Sequence, residues 1–290
     1  MSLLPNKSFQ TVLPVALLVQ NLFALVPIAI KSTSANTLSI AVIRLLITVF
    51  CLSFFARDFF KNVKSHFGAF LSMGTCFAIH WHTYFSAVKQ GSPSIALLGL
   101  SSYGLFVNIY AMIFLNEKFS LITLGAVITS IFGVFLVASG SDASDSQALA
   151  MAIFSASVYA ILPILHRKNL NIPTIVRVQF QFSGALLVFL LFSSGVSFSY
   201  NLSDWTWLLY LAFGGTLLGH GLWVWVTSHA TAFFVSLIYY VNIPLVLIWE
   251  HYFFGKTLGK IQILGAAIMV CAQISLANRI HSLNHERKQG

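Results

Sequence analysis

Apolar residues run along this chain in long blocks, separated by short polar stretches. A helix needs roughly 20 apolar residues to cross a bilayer. Ten blocks qualify, at about 11–30, 36–56, 67–88, 94–115, 119–139, 147–165, 174–194, 205–228, 232–254 and 258–279. Within each block the apolar residues are continuous instead of alternating with period two, which argues against β-barrel strands. The connections are too short to hold a soluble catalytic domain. The expected fold class is therefore an all-α polytopic membrane protein with ten transmembrane helices.

Composition sharpens this picture. The 290 residues are 58% hydrophobic and 8% charged, against about 25% charged in soluble domains. The net charge of +9 does not imply a nucleic-acid partner, because the basic residues sit in short loops. One set of loops and ends holds Lys7, Arg57, Lys61, Lys64, Lys118, Arg167, Lys168, Arg279, Arg287 and Lys288. The other holds Lys31, Lys89, Lys256, Lys260 and the acidic stretch from Ser141 to Asp145. The excess on the first side predicts that both termini are cytoplasmic. The first block lacks a small-residue cleavage site and reads as a retained helix. Cys51, Cys76 and Cys271 all fall in apolar blocks and form no CxxC or disulfide pattern.

The two halves match at an offset of 140: Gly74 falls on Gly214, His80 on His220, Gly104 on Pro244, and Gly125-Ala126 on Gly265-Ala266. The expected units are 1–140 and 141–290, five spans each. An odd number of spans per unit makes the second an inverted copy of the first. Such repeats support alternating access around a site near the membrane midplane.

Two stretches carry a family resemblance. The first is SYGLFVNIYAMIFLNEKFS (102–120) followed by Gly125-Ala126. The second is YYVNIPLV (239–246) followed by Gly255-Lys256-Thr257-Leu258 and Gln262 to Ala266. Together they resemble the EamA-type members of the drug/metabolite transporter superfamily, with Glu117 on the characteristic glutamate and Pro244 on the usual proline. Lys256 stands where a second glutamate is usual, and Gly104 replaces a proline. The resemblance implies gradient-driven or exchange transport of amino acids or other small metabolites, often outward, without ATP. It implies a multi-pass protein of a cell membrane, expected to be a bacterial inner membrane. It implies no enzyme activity and no cofactor.

Polar residues deep in a span are costly and mark candidate sites. Arg44, in the second span, can anchor a carboxylate through its forked donors or bond to backbone carbonyls or Glu250. His80 and His220 lie near mid-span; a binding role, a proton-linked role and plain packing all fit. Glu250 is a second candidate for proton coupling. Gln20 and Asn21 put a neutral amide pair where the four-span multidrug relatives carry a glutamate, which tilts the expected solute toward a carboxylate or zwitterion. Tyr84, Tyr103, Trp223, Tyr239 and Asn242 complete the expected binding set, with Trp81, Tyr159 and Tyr240 as further aromatic candidates. A metal site is not expected. His80 and His82 diverge by about 200° on a helix, and no Cys or Asp with ligand spacing lies a turn away.

Gly104 and Pro244 are expected to interrupt spans four and nine at matched positions. Spans five and ten, with Gly125, Gly133 and Gly265, are assigned to scaffold or to contact in a homodimer. The expected partners are a small-molecule substrate and membrane lipid. The alternative class is an intramembrane enzyme or receptor-like protein. Against it, the chain has no GxxxxGK[ST], HExxH or GxSxG motif.

Overall fold

The computed structural model describes residues 9–117, 125, 128–129, 131–133, 135–136, 139, 146–255, 259–261, 263–265, 267–268 and 271. Most of the predicted fifth and tenth spans lies outside these residues. So do Lys118, Lys256, the acidic 141–145 stretch, and the Ala126 and Ala266 members of the repeat.

The regular structure described is helical. The first half holds α1 (Phe9–Ser32), α2 (Thr37–Ser53), a short α3 (Phe59–Ser65), α4 (Phe67–Gln90), α5 (Pro93–Leu100) and α6 (Tyr103–Leu115). The second half holds α7 (Ser146–Tyr159), α8 (Ile161–Lys168), α9 (Thr174–Leu190) and α10 (Leu202–Tyr210). A π-helical segment (Leu211–His220) then leads into α11 (Gly221–His229), α12 (Ala232–Tyr239) and α13 (Asn242–Phe254). Among the described residues, four stretches are long and apolar enough to cross a membrane unaided: Thr11–Ser32, Gln147–Lys168, Leu202–His229 and Leu237–Phe254.

Large apolar side chains point outward from this bundle. Phe50 is 66% exposed, Ile113 63% and Leu191 80%. In water such a surface would drive association; in hydrocarbon it is the wetted face.

The halves repeat in detail. Helices α2 and α9 are both 17 residues long and start at Thr37 and Thr174, an offset of 137. The pair α5–α6 recurs as α12–α13 at an offset of 139. Ser92 Oγ accepts from Ile95 N (3.2 Å), and Thr231 Oγ1 accepts from Phe234 N (3.3 Å). The breaks also match: Ser102 N donates to Gly99 O as Val241 N does to Ile238 O, and Gly104 N to Ser101 O as Ile243 N does to Tyr240 O. Both units end on a left-handed residue, Asn116 at φ 53° and Gly255 at φ 64°. Asn and Gly are the residues that accept that conformation most readily.

This corrects the expected register. The interruptions fall at Ser101-Ser102 and Tyr240-Val241, so Gly104 matches Ile243 and not Pro244. The drift from 137 to 139 arises between α9 and α11, where the π-helical turn accommodates extra residues in the second half.

Hydrogen bonds between helix ends fix the directions. Ser34, after α1, meets Asp204 at the start of α10, and Ser94 in the first turn of α5 meets Glu250 near the end of α13. At the opposite end of the bundle, Arg167 of α8 meets Glu117 after α6, and Asn171 before α9 meets His66 before α4. Each first-half helix therefore runs opposite to its second-half counterpart.

A close crossing joins α4 to α9. A Cβ added to Gly74 would lie 2.4 Å from Gly184 Cα, so only glycine fits the pair. Small residues at crossings let helices pack closely where no hydrophobic drive exists in lipid.

Candidate functional site

Both halves line one central cavity. The first half contributes Phe23 and Val26 from α1, Arg44 from α2, His80, Trp81, Tyr84 and Phe85 from α4, and Leu97 and Leu100 from α5. The second contributes Tyr159 (α7), His220 (π segment), Tyr239 (α12) and Asn242 (α13). The wall is mainly aromatic, with a few polar points.

Among the described residues that line the cavity, Arg44 is the only one with a permanent charge, and it is fully buried. Its Nε donates to Thr216 Oγ1 (2.9 Å), and Thr216 in turn donates to Leu211 O (2.7 Å) inside the π-helical turn. The guanidinium lies 4.0 Å over the Trp81 ring and 5.1 Å from Phe85. Gly215 leaves room for it: a Cβ there would sit 3.3 Å from Nη2. Both terminal nitrogens are buried and have no hydrogen-bond partner among the described residues. A buried cation with unspent donors is costly. Neither the backbone carbonyls nor Glu250 quench it. Glu250 instead accepts from Ser94 Oγ, on the side of the bundle that also holds Asp204.

His80 and His220 share the cavity and are bridged by Tyr159. The His80 ring stacks on Tyr159 (4.1 Å between centroids, 11° between planes), and the Tyr159 hydroxyl lies 3.4 Å from His220 Nδ1. At the 139 register His80 faces Gly219 in the alignment, one residue from His220, within the π-helical stretch. His82 is exposed on another face of α4 and takes no part.

The remaining expected residues divide into three groups. Tyr84, Tyr239 and Asn242 line the cavity. Tyr103, Trp223 and Gln20 are buried one layer behind it. Tyr103 packs on Tyr159 and Tyr239, Trp223 packs on Tyr239, and Asn242 Nδ2 reaches Gln20 O (3.3 Å). Asn21 is exposed on the outside of α1 and is removed from the set. Its neighbour Gln20 turns inward because adjacent helix positions differ by about 100°.

Sequence reasoning missed Thr216 and Ser155, whose hydroxyls hold Arg44 and His80. It also missed the polar networks at the two ends. Asp204 accepts from Thr33 Oγ1 (3.0 Å), Ser34 N (2.6 Å) and Ser34 Oγ (2.7 Å), while Lys89 donates to Thr33 O (2.5 Å). At the other end the buried Arg177 donates to Ile172 O, His166 O, Ser228 Oγ and Thr174 Oγ1. Unlike Arg44, it has no buried nitrogen left without a partner, which makes it a structural clamp of the second half. The charge of Arg177 was the only available signal, and its place at a span edge hid it.

Oppositely directed repeats of apolar helices, closing on one cavity with a few polar points, are the architecture of repeat-built membrane transporters. The chain belongs to the EamA-like transporter family, whose model matches residues 11–139 and again residues 144–277. It is a multi-pass membrane transporter of the drug/metabolite superfamily. A search of curated proteins finds no match. A solved structure titled "Crystal structure of protein" superposes with a TM-score of 0.76 at 14% identity, covering 98% of this chain and 100% of that one. That likeness supports the fold.

Proposed function

We propose that this protein is a ten-span secondary transporter, with both termini cytoplasmic, that exports or exchanges a small carboxylate-bearing metabolite. An amino acid or related zwitterion is the first candidate. The observation that carries the reading is the buried Arg44 fork, whose two terminal nitrogens find no partner among the described residues, in a cavity shared by both halves. A carboxylate accepts two parallel N–H bonds from such a fork. Aromatic walls exclude water, which strengthens that pairing. Rocking of the oppositely directed halves would expose the cavity to either side in turn. His220 and Glu250 are the groups proposed to couple transport to protons, in a bacterial inner membrane.

Purified protein in proteoliposomes tests this. The expected result is saturable counterflow of small carboxylates, responsive to a pH step, insensitive to ATP and lost in Arg44→Ala. A folded Arg44→Ala protein that transports normally would overturn the reading. Absence of flux for a broad metabolite panel would return the intramembrane enzyme or receptor alternative.

A further inference from the structure

Ser155 Oγ, on α7, makes two close contacts with one residue of α4: 2.8 Å to His80 O and 2.7 Å to His80 Nδ1. A serine hydroxyl has one hydrogen. If that hydrogen pointed to Nδ1, the hydroxyl and carbonyl oxygens would face each other at 2.8 Å with nothing between them. Both contacts are favourable only when Ser155 donates to the carbonyl and His80 donates from Nδ1. Stacking on Tyr159 at 11° and on Tyr84 at 17° holds the ring plane. Arg44 already places one positive charge in the same cavity. A neutral imidazole with its hydrogen on Nδ1 carries a lone pair on Nε2, and Nε2 makes no hydrogen bond among the described residues.

We propose that His80 is a fixed hydrogen-bond acceptor in the cavity. By this means the transporter selects, among small acids, those that carry an N–H or O–H donor beside the acid group. The inference rests on the carboxylate reading above and deepens it. Arg44 offers only donors, and His80 Nε2 offers only an acceptor. A 2-amino or 2-hydroxy acid satisfies both at once. A 2-oxo acid leaves the acceptor unpaired, and a dicarboxylate sets a second anion against its lone pair. Sites built to bond a substrate hydroxyl or amine reject analogues lacking it more strongly than apolar pockets discriminate by size. Because Ser155 belongs to the second half and His80 to the first, the selecting atom is oriented by a contact between the halves.

The test is competition for counterflow in proteoliposomes by 2-amino, 2-hydroxy and 2-oxo acids of one carbon skeleton. Wild-type, Ser155→Ala and Ser155→Thr proteins are compared, with folding checked by gel filtration. In wild type the amino and hydroxy acids should compete at concentrations about 10-fold lower than the oxo acid, the ratio set by one net hydrogen bond. Ser155→Ala should compress that ratio toward unity, since the ring is then free to present either nitrogen, and Ser155→Thr should restore it. Equal competition by all three acids in wild type, or a ratio untouched by Ser155→Ala, overturns the inference and leaves the carboxylate reading standing. Failure of every acid to compete overturns the carboxylate reading itself.

Discussion

Arg44 rests on Trp81, with its guanidinium carbon 4.0 Å from the ring centroid, and among the described residues gives only its Nε to a hydrogen-bond partner. The stack orients the plane of the guanidinium, and the single bond to Thr216 fixes its rotation. The proposed reading gives the two terminal nitrogens to a substrate carboxylate.

A first prediction separates binding from stability at Arg44. Arg44→Met should abolish carboxylate transport yet raise the melting temperature in detergent, because a buried charge without an acidic partner is replaced by an apolar side chain. For chains somewhat shorter than this one, each kcal/mol corresponds to about 2–4 °C. Arg44→Lys should keep the charge but lose the fork, raising the half-saturation constant by more than about 10-fold. A destabilised Arg44→Met protein would show instead that the guanidinium is structural. Thermal unfolding and counterflow on the same preparations decide the matter.

Thr216 is the second link. Its hydroxyl hydrogen is committed to Leu211 O, so its oxygen can accept from Arg44 Nε. Thr216→Val keeps the side-chain shape and removes the acceptor. The expected effect is a several-fold rise in half-saturation, on the order of 1 kcal/mol, with little change in maximal rate. Thr216→Ser should recover the wild-type value. Kinetics of the three proteins side by side provide the measurement.

The broad fold was legible in the sequence because lipid demands continuous apolar runs, and Arg44 stood out as a charge inside one. Other features were hidden for identifiable reasons. The breaks at Ser101-Ser102 and Tyr240-Val241 contain neither glycine nor proline, so local punctuation pointed to Gly104 and Pro244 instead. The π-helical turn at Leu211–His220 reads in sequence as part of an ordinary apolar span and shifts the repeat register around His220. Thr216 and Ser155 are ordinary span hydroxyls until the span that each one meets is known. Asn21 looked equivalent to Gln20 because sequence adjacency conceals the turn of the helix.

The α4–α9 crossing yields a third prediction. Gly184 has no space for a side chain: its added Cβ would sit 2.8 Å from Gly74 Cα, backbone that cannot yield like a flexible side chain. Gly184→Val should therefore fail to give folded protein in detergent. Gly221 is helical and has nothing within 4 Å of an added Cβ. Gly221→Ala should fold normally and gain about 0.5–1 kcal/mol from reduced backbone freedom. Expression yield, elution profile and melting temperature of the two variants should diverge in opposite directions from wild type.

The last prediction concerns the two ends of the cavity. At one end Asp204 of the second half holds Thr33 and Ser34 of the first. At the other, Arg167 of the second half pairs with Glu117 of the first. If the halves rock about the cavity, these contacts act in opposition, and loosening one should favour opening at that end. Leu97 lines the cavity, so a Leu97→Cys reporter, in a background with Cys51, Cys76 and Cys271 replaced by serine, reads access by a membrane-impermeant thiol reagent. Asp204→Asn keeps the side-chain shape but removes the charge that strengthens its hydrogen bonds, each worth about 1.5–3 kcal/mol. It should speed labelling from the Asp204 side several-fold. Glu117→Gln should slow labelling from that side and speed it from the other. Equal changes on both sides for either variant would point to general loosening of the bundle, and the two contacts would then be structural instead of opposing gates.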